Sequence, residues 1–193
     1  PSGYKLHGAT IPAGQDGVRA TLESPVKKPQ GPVELRFEAR ALDADHELVR
    51  SVQAADNRMQ AFLWRHLVPA ESFIAMPRWG KNYGFALELD GPLVLEPGQS
   101  VDVRVLAREG ALPASMKISA NDAPEGVTVS SSGMLSDGFM LTIEADKTLK
   151  PGQAGNLIVE SWMQPAAKKG RKAPRLQPTG MLPPIPFVTE TPK

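Results

Sequence analysis

Apolar and polar residues alternate with a period of two along most of this chain, the mark of strands that bury one face. The alternation is cleanest where Val101, Val103, Val105 and Ala107 share one face while Ser100, Asp102 and Arg104 take the other. The same rhythm predicts strands around Phe85 to Leu89, Leu93 to Leu95, Met116 to Ala120, Val127 to Val129, Phe139 to Ile143 and Leu157 to Val159. Turn signals separate them: Glu96-Pro97-Gly98-Gln99 and Lys150-Pro151-Gly152-Gln153 set a proline early and a glycine where φ turns positive. Strands recurring every 10 to 15 residues or so, with Gly/Pro turns between them, predict antiparallel sheets rather than βαβ units. A last stretch, Leu182 to Val188, carries Pro183, Pro184 and Pro186 and is expected at a sheet edge. Residues 57–67 fit a helical turn or two as well as a strand, and the alternation around them favours extended chain.

Two stretches also read as copies of one another. Gly17, Thr21 and Glu23 match Gly138, Thr142 and Glu144, and Leu35 and Glu38 match Leu157 and Glu160, with the offset moving from 121 to 122. Self-similarity of this length predicts tandem domains. Residues 83–189 supply the seven or eight strands of an immunoglobulin-like sandwich. The first copy has only the later strands, expected at residues 17–24, 33–42, 47–54 and within 59–76. The expected fold is therefore all-β: two tandem immunoglobulin-like antiparallel β-sandwiches, the first incomplete at its N-terminal side. A partial module over 1–78, a linker over 79–82, a complete module over 83–189 and a tail over 190–193 follow. Three or four strands cannot close a core, so the missing half is expected from upstream residues of the same protein or from another protein chain.

Composition narrows the chemistry. Aromatic residues make up 6% of the chain against 41% hydrophobic residues, which suits a core of Val, Leu, Ile and Ala. With 22 basic and 21 acidic residues the net charge is +1, so no global field draws in nucleic acid or an anionic membrane. The chain has no cysteine, which removes disulfides, thiolate catalysis and sulfur-ligated zinc and is neutral as to compartment. Apolar runs such as Phe73 to Met76 are far shorter than the roughly 20 residues that span a bilayer, so no membrane insertion is expected.

The phrases Ala9-Thr10-Ile11-Pro12-Ala13-Gly14-Gln15, Met59-Gln60-Ala61-Phe62 with His66-Leu67-Val68-Pro69-Ala70, and Leu95-Glu96-Pro97-Gly98-Gln99 resemble the immunoglobulin-like and pre-peptidase-type modules of large secreted bacterial proteins, notably of the planctomycete group. The resemblance lies in turn and strand signatures and carries no catalytic residue. It implies an exported bacterial protein, periplasmic, secreted or on the cell surface, in which such modules serve as spacers, stabilisers or adhesive units.

Candidate residues are few. Asp43, Asp45 and Glu47 alternate beside His46, the spacing at which a calcium loop offers oxygens, but the glycine and distal glutamate of such a loop are missing. A solvated hairpin tip is the simpler reading, and neither metal nor cofactor is expected. No Gly-x-Ser-x-Gly and no phosphate-cradling glycine loop occurs, so the chain is not expected to be an enzyme. Lys168, Lys169, Arg171, Lys172 and Arg175 form a basic loop that suits an acidic protein or an anionic glycan. No aromatic residue interleaves to stack on bases, so nucleic acid is not expected. Trp79 is placed in the interdomain joint, and Trp64 is a candidate ligand-facing aromatic. The expected role is a non-enzymatic structural or protein-interaction module, with a carbohydrate- or surface-binding module of a secreted hydrolase as the alternative.

Overall fold

The computed structural model describes residues 2–25, 31–42, 48–60, 64–76, 83–109, 112–113, 115–163 and 175–191, and among them every regular element is a β-strand. The protein is all-β, as the alternation predicts. It divides into two compact units, one made of Pro1–Tyr4 with Ser24–Trp79 and the other of Lys5–Glu23 with Gly80–Lys193. Residues 5–23, expected in the first module, thus belong to the second unit. There β1 (Lys5–His7) and β2 (Thr21–Glu23) pair as a short antiparallel ribbon, with Lys5 opposite Glu23 and His7 opposite Thr21.

Six short strands make the first unit: β3 (Val33–Leu35), β4 (Glu38–Arg40), β5 (Val49–Ser51), β6 (Ala55–Met59), β7 (Arg65–Pro69) and β8 (Phe73–Ala75). They pair as three separate two-stranded ribbons, β3 with β8, β4 with β5 and β6 with β7. Leu35, opposite Phe73, and Ala54 are the buried hydrophobic residues among those described in this unit. Phe37 adds an edge-on contact to Phe73 at 5.0 Å between ring centres. Two-stranded ribbons are marginal alone in water, and here no sheet of three strands gathers them among the described residues.

The second unit is a β-sandwich. Its strands are β9 (Phe85–Glu88), β10 (Leu93–Leu95), β11 (Ser100–Ala107), β12 (Lys117–Asn121), β13 (Val127–Leu135), β14 (Gly138–Ala145), β15 (Ala154–Met163), β16 (Gln177–Met181) and β17 (Ile185–Thr189). One sheet runs β13-β14-β11-β9 and the other β10-β17-β15-β12, with β16 pairing the far end of β15. The inner faces meet in one core: Val103, Val105, Phe139, Leu141 and Ile143 from the first sheet pack with Leu95, Leu157, Val159, Ile185 and Phe187 from the second. Gly98 and Gly152, with φ of 80° and 83°, make the two turns read from the Pro-Gly dipeptides.

The proline-rich last strand is not at an edge. β17 lies between β10 and β15, running parallel to the first and antiparallel to the second. The main-chain bonds of Thr189 to Gln153 and Gly152 turn odd-numbered residues of β17 towards β15. Even-numbered ones face β10, as the bond from Glu190 to Leu95 shows. Pro186 therefore aims its nitrogen to the β10 side, one position before that ladder begins at Leu93 and Phe187. A missing N–H costs nothing there.

Candidate functional site

Residues 5–23 cross the outer side of the sheet that contains β15. Leu157 and Val159 of β15 point into the core, so alternation turns Asn156 and Ile158 outwards. Asn156 donates from Nδ2 to two main-chain carbonyls of the crossing segment, Gly8 and Arg19, each at 2.7 Å. Arg19 reaches back to the carbonyl oxygens of Asn121 and Asp122 and pairs with the Asp122 carboxylate at 3.2 Å. Gln15 adds a bond to the Gly152 carbonyl at 3.2 Å. Ile158, although on the outer side, is only 7% exposed. The segment is thus a strap held to this sheet by side chain to main chain bonds rather than by a ladder.

The ribbon in this strap borders a groove of about 780 Å³ that β9, Met181 and Leu182 also line. His7 Nε2 stands 2.9 Å from Glu23 Oε2 at its rim, both side chains about half exposed. A histidine beside a carboxylate at a groove is what an enzymatic reading asks for. The wall, however, presents Thr21 as its single hydroxyl side chain, and Thr21 sits directly opposite His7 in the ribbon. No serine or cysteine nucleophile lines the groove among the described residues. The pair is explained by the cross-strand geometry of the ribbon, in which His7 lies diagonal to Glu23. A second, open depression of about 840 Å³ lies at Gly98, Gly126 and Lys147, around the turn in which Asp146 Oδ1 accepts bonds from the N–H and hydroxyl of Thr148.

The first unit carries a different feature. Met59, Trp64, Leu67, Ile74 and Met76 are all more exposed than buried, with Trp64 at 73%, Leu67 at 71% and Ile74 at 67%. Each lies on or next to β6, β7 or β8. Trp64 itself closes the β6–β7 connection through its carbonyl, which accepts from the N–H of Gln60 at 2.8 Å.

Of the residues singled out in the sequence, Trp64 is at the surface and Arg175 directly precedes the segment that enters β16. Asp43, Asp45, Glu47, Trp79, Lys168, Lys169, Arg171 and Lys172 lie outside the described residues. Trp162, the other tryptophan described, donates from its indole to Ser119 Oγ across the β12–β15 pair at 2.9 Å. The strap and the groove were not legible in the sequence. His7 and Glu23 are 16 positions apart, and the residues that hold the strap lie more than 100 positions downstream of it. No family model, curated protein or solved structure matches the chain.

Proposed function

We propose that the protein is a non-enzymatic structural or protein-interaction module whose first unit is completed by contact with a partner chain. The observation that carries this reading is the exposure of Met59, Trp64 and Leu67 along the β6–β7 ribbon and of Ile74 on β8, in a unit whose buried hydrophobic residues among those described are Leu35 and Ala54. Soluble monomers rarely leave large apolar side chains grouped in water, and such groups mark association surfaces. The alternative, a carbohydrate-binding module, rests on Trp64. A sugar platform needs several exposed aromatic rings, and among the described residues Trp64 is the one large aromatic exposed. Export to the periplasm or cell exterior belongs to the reading through the resemblance of the turn phrases to secreted bacterial modules.

The test is a triple variant, Met59→Glu, Leu67→Glu and Ile74→Glu, compared with the parent chain by sedimentation velocity and by binding of a hydrophobic dye. The parent is expected to associate with itself as concentration rises or to bind dye, and the variant to do neither while keeping its β-sheet circular dichroism. A parent that stays monomeric and dark defeats the reading. Titration with polysaccharides under tryptophan fluorescence addresses the alternative, which a silent Trp64→Ala difference removes.

A further inference from the structure

The groove beside β9 has two walls made of strand edges. Three consecutive residues of β9, Phe85, Ala86 and Leu87, line one side, and three consecutive residues of β2, Thr21, Leu22 and Glu23, line the other. Successive residues of a strand point to opposite faces, so consecutive residues line one groove only when the edge of the strand, not a face, forms the wall. Both strands are terminal in their sheets: β9 pairs with β11 alone and β2 with β1 alone among the described residues. The direction of β9's free groups follows from its ladder. Arg108 donates its N–H to the Gly84 carbonyl, and alternation from that pair turns the main chain of Ala86 and Glu88 towards β11. The N–H and C=O of Phe85 and Leu87 therefore face the groove.

The lining adds chemistry to this geometry. Leu22 and Met181 are exposed apolar residues within it. Glu23 and Asp90 supply two carboxylates, and none of the lining residues is Lys or Arg, although the chain as a whole carries 22 of them. An unpaired edge, exposed apolar side chains beside it and two carboxylates in the lining together fit the receptor side of β-strand addition, where main-chain bonds supply affinity and side-chain contacts supply specificity. From this we infer that the groove takes an extended segment of another polypeptide, apolar at alternate positions and bearing Lys or Arg, which pairs with β9 as an added strand and faces β2 on its other side. This surface belongs to the second unit and does not depend on the apolar residues of the first.

Random dodecapeptides displayed on phage, panned against the full chain, provide the probe. Enriched sequences are expected to alternate apolar residues and to include a basic one. Labelled copies should lose at least about tenfold in affinity for the Asp90→Lys and Glu23→Lys double variant, and should lose binding when alternate peptide amides are N-methylated. Because Glu23 also pairs with His7, the single variant Asp90→Lys, at an exposed position, is measured alongside and should weaken binding with the melting temperature unchanged. The variant Met59→Glu, Leu67→Glu, Ile74→Glu should bind the peptides as the parent does, which separates this inference from the proposed role of the first unit. Failure to enrich any peptide overturns it. So does enrichment of peptides that bind the charge-reversed variants, or their N-methylated forms, without loss.

Discussion

Three residues show how far single side chains decide the fold. Gly138 opens β14, and a Cβ there would run into the carbonyl oxygen of Val105. Main chain cannot yield that far, so Gly138→Ala should cost on the order of 3 kcal/mol in denaturant unfolding. Asn156 makes two bonds to the strap. Asn156→Ala should loosen it at a cost of about 1 to 2 kcal/mol, and trypsin should then cut faster after Arg19, whose guanidinium is otherwise engaged by Asn121 and Asp122. Asp146 accepts the hydroxyl and then the N–H of Thr148, which hold its carboxyl below the ordinary carboxylate range. Its folded value lies below its unfolded one, so this stabilisation is present above the unfolded value and is lost as pH falls through the folded one. In Thr148→Val the Asp146 titration followed by NMR should move up towards the ordinary range. None of these roles was legible from residue type alone. A glycine, an asparagine and an aspartate are common turn residues, and only the atoms that approach them distinguish their tasks.

At the scale of elements the alternation was read well where both neighbours of a strand are strands. β11 and β14 bury Val103, Val105, Phe139, Leu141 and Ile143 as the period of two predicts. Phe139 packs edge-on against Phe85 at 5.9 Å and is fully buried. Truncation to alanine should cost about 3 to 5 kcal/mol, measured by thermal or chemical unfolding of the second unit. β17 was misplaced at an edge because proline count ignores direction: Pro186 turns its nitrogen to a side where the ladder has not begun. The two copies of the internal repeat also meet different surroundings. Thr21-Leu22-Glu23 and Thr142-Ile143-Glu144 share a local pattern, yet Leu22 is exposed in a two-stranded ribbon and Ile143 is fully buried in a four-stranded sheet. A pattern of three or four residues encodes a strand, not the neighbours it will find.

At the scale of the whole molecule the two units differ in what holds them. The second has one continuous core built from two sheets, while the first has paired ribbons around Leu35 and Ala54. Local opening is easiest where few apolar contacts are buried. Hydrogen exchange should therefore be faster at amides of β3 to β8 than at those of β11, β14 and β15, and a partner bound to the first unit should slow it there. Equal protection across both units would show that the first unit is stabilised by contacts other than a core of its own. By itself the sequence determined the class of structure: alternation, aliphatic composition and Pro-Gly turns specify strands and their connections through residues only a few positions apart. What only the tertiary structure decided is which edges stay open, that Ile158 is buried although on the outer side, and that residues 5–23 belong to the second unit. Those outcomes depend on contacts such as that of Asn156 with Gly8, 148 positions away, and no periodicity along the chain encodes a partner at that distance.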